Sequence, residues 1–308
     1  MGKEVFRVAD VQYEDRNDLV THVFGRRLDG EWVHKKIRDT MPYLFVPESD
    51  FAPEYLELND VDDVVFDWNF GFESYDNVPL VQIVTNEPGD VRDVREIFDE
   101  CYESDLVFER RCTADYNLSG YVRTPERDDI SVSEIESVDE SEIDPVEPRG
   151  LVIDIEVRVP DSFYPEFAEE ASNEVTAITS YDTYDDEYTL FCLDPDLSVR
   201  PEQIRDHIED NWEDHDDFDR LTDIDIQFKR FGNEKNLLKS FVSYVSDRRV
   251  DYMTGWNYID FDHEYLYNRI DKILGYEVND LSPINKTGGY KTETYIKGIP
   301  AIDMMNAY

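Results

Sequence analysis

Two acids set two residues apart in an otherwise aliphatic run carry the first chemical signal: Asp154 and Glu156 in Gly150-Leu151-Val152-Ile153-Asp154-Ile155-Glu156-Val157. Side chains two apart on a strand leave the same face, roughly 6.5 to 7 Å apart along the backbone. Such a pair can hold a divalent cation. Mg2+ and Mn2+ prefer carboxylate oxygen, and two such ions can activate a water and stabilise the leaving oxygen when a phosphodiester is cut. Spacing alone is a weak signal, because Asp and Glu together number 73 in 308 residues and pairs such as Asp60/Asp62 and Asp223/Asp225 read as solvated. The apolar setting singles out Asp154 and Glu156. Carboxylates inside an apolar strand are costly unless a cation or protons compensate them.

A second constellation is Thr254-Gly255-Trp256-Asn257-Tyr258-Ile259-Asp260-Phe261-Asp262, followed by His263-Glu264-Tyr265-Leu266 and Arg269. Here an acid closes a strand-to-helix turn. Asp262 reads either as an N-cap for the helix, a role worth about 0.5 to 2 kcal/mol, or as a further metal ligand. Asn257 is a turn residue or a partner for a nucleotide strand, and Phe261 is core or a wedge for base stacking.

These residues need elements to hold them. Residues 5–13, 19–28 and 31–36 read as strands, with Asp29-Gly30 supplying hairpin chemistry, so a mixed sheet opens the chain. Val91, Val94, Phe98 and Tyr102 recur at helical spacing behind Pro88-Gly89-Asp90, which predicts a helix over 91–102 that packs on that sheet, with Asp90 as N-cap. The acidic stretch 126–148 reads as a connection, giving domains at 1–130 and 149–308 and a linker at 131–148. The second domain opens on 150–157 as a mostly buried strand, followed by strands over 174–181 and 187–193 joined through Tyr184-Asp185-Asp186. Acid-rich residues 194–225 are expected on the surface. Leu237, Leu238, Phe241, Val242 and Val245 mark an amphipathic helix, 252–256 a strand, Leu266, Ile270, Ile273 and Leu274 a helix starting near His263, and 299–305 a last strand. The pattern is α/β.

Composition bounds the class. A 40% hydrophobic and 13% aromatic chain folds, yet its formal net charge is -43, spread along its length. Self-repulsion on that scale weakens a compact state in ordinary salt, whereas at molar salt the Debye length falls to roughly 3 Å and an acid-rich surface stays hydrated. A halophilic protein is the favoured reading; an acidic protein that avoids nucleic acid or binds a basic partner is the other. Cys101, Cys112 and Cys192 lack disulfide or zinc spacing, which suits a reducing interior. No apolar run is long enough to span a bilayer and no leader pattern opens the chain, so a cytoplasmic protein is expected.

The D-I-E strand and the later G-W-N-x-x-x-F-D-x-x-Y-L-x-x-R resemble, in order, the first two exonuclease motifs of archaeal-type family B DNA polymerases. Segments of the first domain, among them Val8-Ala9-Asp10-Val11-Gln12-Tyr13, Met41-Pro42-Tyr43-Leu44-Phe45 and Pro88-Gly89-Asp90-Val91-Arg92-Asp93-Val94-Arg95, are similar to archaeal members. The resemblance implies a mixed-sheet amino-terminal domain and a ribonuclease H-like 3'-5' exonuclease domain. It implies that Asp154, Glu156 and Asp262 bind the catalytic Mg2+ or Mn2+ ions, and that Asn257, Phe261 and Arg269 lie beside the single-stranded 3' end of a primer-template DNA. Tyr13, Pro42, Val91 and Arg95 fall where archaeal members line a pocket that senses template uracil; ordinary packing is the alternative for these four.

The same resemblance places a third motif, Tyr-x-x-x-Asp, beyond Asp303, and the palm and thumb later still. The site in this sequence is therefore expected to be one ligand short, with Asp303 a poor substitute. The polymerase portion would come in cis or in trans, with a sliding clamp reached through it. A free-standing exonuclease and a non-catalytic nucleic-acid-binding or uracil-sensing module are the competing readings. Phosphate contacts call for bases, and Arg95, Arg110, Arg111, Arg248, Arg249 and Arg269 are expected to include the few that matter.

Overall fold

In the computed structural model, which describes residues 2–15, 18–158, 167–211, 226–290 and 293–308, the chain divides into two compact units, Met1–Val146 and Glu147–Tyr308. Strands of the first unit are β1 (Lys3–Glu14), β2 (Val20–Arg27), β3 (Trp32–Ile37), β4 (Tyr43–Pro47), β5 (Val65–Glu73), β6 (Pro79–Thr85), β7 (Tyr121–Pro125), β8 (Asp129–Ile130) and β9 (Glu136–Val138). Its helices are α1 (Pro53–Leu58), α2 (Asp90–Arg95) and α3 (Phe108–Asp115). The opening hairpin forms as its turn chemistry predicts: Gly30 takes a φ of 87° and Arg27 N–H donates to Glu31 O at 2.8 Å.

That hairpin belongs to a six-stranded sheet in the order β8-β3-β2-β1-β7-β9, while β4-β6-β5 form a smaller sheet. Phe6, Val11, Val23, Val33 and Ile37 of the larger sheet pack under Phe108 and Cys112 of α3, a helix the apolar spacing did not reveal. The helix expected over 91–102 is only α2, six residues long, and its buried Val94 packs with Leu44, Val46, Val81 and Ile83 of the small sheet instead. It stops early because Tyr102 is held extended, exchanging backbone hydrogen bonds of 2.8 and 3.1 Å with Phe45. Asp90 is not the N-cap either. Gly89 holds that position, and Asp90 Oδ2 accepts Glu87 N–H at 2.9 Å. Strand β9 lies within the stretch expected as a linker and pairs with β7, and Val146 is buried with Tyr121 and Val138.

The second unit contains β10 (Gly150–Val157), β11 (Val175–Asp182), β12 (Glu187–Leu193), β13 (Ile226–Phe231), β14 (Tyr252–Gly255), β15 (Thr287–Tyr290), β16 (Glu293–Ile296) and β17 (Ala301–Asp303). Its helices are α4 (Phe167–Glu170), α5 (Pro201–Asn211), α6 (Glu234–Arg248), α7 (Glu264–Leu274) and α8 (Met304–Ala307). The main sheet runs β13-β12-β11-β10-β14-β17. Strands β10 to β12 form an antiparallel meander, and β14 and β17 add to the other side of β10 in parallel. This is the ribonuclease H-like arrangement. The edge strand β13 had no clear signal in sequence, and part of the acid-rich segment, 212–225, lies outside the described residues. The last strand is shorter than expected, because Asp303 caps α8 by accepting Met305 N–H at 2.9 Å.

Helices α6 and α7 turn Leu237, Leu238, Phe241, Val245, Leu266 and Ile270 onto Leu151, Ile153 and Ile155 of β10. Asn233 starts α6 by accepting Asn236 N–H, and Arg249 ends it with a left-handed φ of 49°. Between β14 and β10 the backbones are close enough that a Cβ on Gly255 would stand 2.5 Å from Ile153 O. Replacing Gly255 with Ala should therefore cost about 2 to 4 kcal/mol of stability by backbone displacement, measured by chemical denaturation; an unchanged midpoint would contradict the close approach.

Candidate active site

Strand β10 is two-faced at its carboxyl end. Ile153, Ile155 and Val157 are buried, while Asp154 and Glu156 are exposed on the opposite side. The strand is mostly buried, as expected, but its two acids are not: they lie on the open face and keep their hydration. Desolvation falls on Asp262 instead.

Asp262 is 5% exposed, and its Oδ1 accepts the backbone N–H of Ile155 at 2.9 Å. The residue it grips stands between Asp154 and Glu156 in sequence, and the charge of Asp154 acts on Asp262. Burial, then the neighbouring charges of Asp154 and Asp303, push the Asp262 carboxyl up to about 6. It does not cap the helix: His263 holds the N-cap position of α7 without a side-chain capping bond. The local backbone explains why. Asn257 takes a left-handed φ of 55°, the chain winds through a π-helical turn over Tyr258–His263, and α7 begins only after it. His263 Nε2 donates to Thr294 O at 3.1 Å, tying the β15–β16 hairpin to the same turn.

The other expected residues divide. Asn257 makes no side-chain capping bond, and Phe261 is half-buried, stacked near Phe167 and Tyr265 against the core. Arg269 is corrected outright. Only 6% of it is exposed, its Nε and Nη2 donate to both oxygens of Glu234 at 2.7 and 2.6 Å, and Nη1 donates to Ala171 O and Ser172 O. With its donors turned inward it is a structural clamp, not a phosphate contact. Arg248 and Arg111 are likewise engaged, with Asp182 and Glu187 and with Glu103 respectively. Asp303 is also committed, accepting Ile259 N–H at 3.0 Å as well as capping α8. Glu264 was not anticipated: it is buried, its Oε1 has no hydrogen-bond partner, and burial, then Glu169 and Asp260, raise its pKa.

Among the described residues no three His, Cys, Asp or Glu side chains close around a metal position. The donor set nevertheless suits a hard divalent cation in kind, since it is all carboxylate oxygen, and Asp262 holds a buried charge beside Asp154 that a cation would relieve.

In the first unit, Tyr13, Pro42, Val91 and Arg95 all line one cavity of about 320 Å³. Tyr43 and Arg111, missed in sequence, line it too. The Arg111 guanidinium lies 3.9 Å from the centre of the Tyr43 ring, and Tyr43 donates its hydroxyl to Asp115 at 2.9 Å. Burial, then that hydrogen bond, pushes the Tyr43 hydroxyl up to about 12.

A ribonuclease H-like sheet with carboxylates on β10 and on the helical turn after the neighbouring β14 defines a nuclease-type domain. Residues 122–307, more than half of the chain, match the DNA polymerase family B exonuclease domain, and the chain belongs to that family. It is 32% identical over 171 residues to the DNA-directed DNA polymerase of Escherichia phage RB69, covering 52% of this chain and 19% of that protein. It is 28% identical over 169 residues to the corresponding enzyme of Enterobacteria phage T4, covering 50% of this chain and 18% of that one. The solved family B DNA polymerase of the hyperthermophilic archaeon Pyrobaculum calidifontis shares the fold, with a TM-score of 0.71 at 18% identity, over 98% of this chain and 37% of that chain. The matched stretch is about a fifth of the length of the phage relatives.

Two outcomes follow from this geometry. Because the folded pKa of Asp262 lies above its unfolded value, its contribution is fully present below about pH 4 and is lost as pH rises through about 6. With chelator present, Asp262→Asn should therefore gain up to about 3 kcal/mol over the parent between pH 4 and 8 in denaturant titrations. A pH-independent difference would remove the buried charge from the account. Arg269→Ala, by stranding Glu234, should cost about 3 to 5 kcal/mol in the same measurement.

Proposed function

We propose that this chain is the amino-terminal and proofreading part of a DNA-directed DNA polymerase of archaeal type, from a strongly halophilic source and working in the cytoplasm. Its second unit would remove mispaired 3' nucleotides from single-stranded primer ends by phosphodiester hydrolysis. One observation carries this reading: the bond from Ile155 N–H to Asp262 sets a buried carboxylate next to Asp154 and Glu156 in a chain of the exonuclease family.

Exonuclease domains of this family are metal-dependent, and Mg2+ or Mn2+ held by Asp154, Glu156 and Asp262 would supply an activated water and neutralise the leaving oxygen. The chain's own residues do the positioning. Asn257 offers a donor and an acceptor to the terminal nucleotide, and the half-buried ring of Phe261 offers a face for its base. The polymerase portion, in cis or in trans, and a sliding clamp reached through it are the partners this reading implies. Net charge supports the halophilic source, and with Arg111, Arg248 and Arg269 engaged by carboxylates the DNA is held through ions and bases more than through these side chains.

The cavity around Tyr13, Pro42, Val91 and Arg95 favours a second role for the first unit, as a pocket for a single base of the template, and for uracil in particular. Its volume suits one base with its sugar.

Digestion of a 3'-labelled oligonucleotide at molar KCl tests the main reading. Activity should require Mg2+ or Mn2+ and fall by about 100-fold or more in Asp154→Ala and Asp262→Asn. Absence of metal-dependent digestion, with DNA binding unchanged in both variants, would leave a binding module. For the pocket, an oligonucleotide carrying one deoxyuridine should bind more tightly than its thymidine counterpart, with the preference lost in Val91→Phe.

A further inference from the structure

Strand β5 is an edge strand whose residues from Phe66 to Glu73 are all exposed, and five aromatic side chains crowd onto it and the turn beyond. Phe66 is 61% exposed, Phe70 56% and Tyr75 fully, with Trp68 and Phe72 over a third exposed. Trp68 and Phe70 stand opposite Ile83 and Val81, so they extend the apolar face of the small sheet past the helices that cover it, with Phe51 packed beside both. A bulge at Gly71, φ 96°, then turns Phe72 to the other side, where it meets Phe45 with ring centroids 5.1 Å apart. A row of exposed aromatics is anomalous on a chain this acidic, because surfaces built for solubility avoid contiguous apolar patches.

Charge decides what could cover it. Residues 39–91 contain thirteen Asp and Glu and no Lys, Arg or His, with Asp67 and Glu73 inside β5 itself. A second copy of β5 would set Asp67 and Glu73 against the same acids, and a nucleic acid would bring phosphates to an acidic segment whose flanking Arg38 lines a cavity with Phe66. Both are opposed. A cationic polypeptide with apolar side chains is favoured on both counts, since its bases meet the acids while its aliphatic groups meet the rings. Edge strands exposed to solvent commonly carry Lys to prevent such docking, and β5 carries none.

We propose that the aromatic face and edge of β5 form a docking site for an extended, basic polypeptide segment of a partner protein. The interaction is independent of the exonuclease carboxylates, which lie in the other unit. At molar salt the rings supply most of the affinity and the charge supplies selectivity.

The test uses the whole chain and a labelled decapeptide of alternating Lys and Val, with Glu-Val and Lys-Ser decapeptides and oligothymidylate as comparisons, followed by fluorescence anisotropy. The Lys-Val peptide should bind, and the doubly substituted Phe66→Ser, Phe70→Ser chain should bind it about tenfold or more weakly. Both rings are exposed, so the variant should keep its melting temperature and its 3'-end digestion. Asp67→Lys with Glu73→Lys should weaken Lys-Val binding and admit the Glu-Val peptide. Equal binding of Lys-Val by parent and Ser variant would overturn the proposal, as would a failure of the Lys-Val peptide to bind. It would also be overturned if the same Phe residues proved to support binding of oligothymidylate or concentration-dependent self-association.

Discussion

The hydrogen bond from Ile155 N–H to Asp262 is the constraint on which the candidate site depends. Strand β10 holds two carboxylates on its open face, but a strand alone cannot bring a third to them. The third must come from the other side of the sheet's central crossover, where β14 hands over to α7. Gly255 lets β14 approach β10, Asn257 turns the chain through the left-handed region, and the π-helical turn over Tyr258–His263 rotates Asp262 back onto the strand. Each step depends on the one before it. Burial of Asp262 is therefore a consequence of connectivity, and its raised pKa follows from that burial and from the neighbouring charges of Asp154 and Asp303.

A second constraint is the use made of scarce bases. With 30 Lys and Arg against 73 Asp and Glu, each guanidinium turned inward is one fewer outside. Arg269 binds Glu234, which also accepts Val175 N–H, so one ion pair joins α6, α7 and β11. Arg149 and Arg248 converge on Asp182, whose pKa burial alone would raise but which the two guanidinium groups hold below its ordinary value. Buried pairs like these are costly to desolvate and yet strongly destabilising to break, so they fix where helices sit more than they add net stability. Their insulation from solvent also makes them less sensitive to salt than surface pairs.

Motifs and regular periodicity were legible from sequence, and tertiary exceptions were not. The meander of β10 to β12 followed from apolar runs and turn chemistry; Asp154 and Glu156 stood out by type and spacing, whereas Asp262 was singled out as a candidate ligand through the family resemblance. The helix expected over 91–102 failed because Phe98 and Tyr102 keep helical spacing for different reasons: Phe98 packs on the small-sheet core just past a short helix, and Tyr102 pairs with Phe45 of β4. Arg269 closes the second motif, yet nothing local reveals that Glu234, 35 residues earlier, will meet it. Desolvation falls not on the acids within the apolar run, which stay exposed, but on the acid at the turn, which is buried.

Charge is where these two constraints meet. Under the proposed function, cations held by Asp154, Glu156 and Asp262 would supply positive charge at the scissile end, so little net positive protein surface would be needed there. The acid excess is then compatible with a nuclease site and incompatible only with broad phosphate tracking, which the inward use of Arg111, Arg248 and Arg269 already restricts. In the first unit the same excess makes exposed rings informative. Where repulsion opposes both self-association and nucleic acid, an aromatic row on β5 is tolerated only if molar salt and hydration keep it soluble or a cationic partner covers it, and hydration acts on the carboxylates, not on the rings.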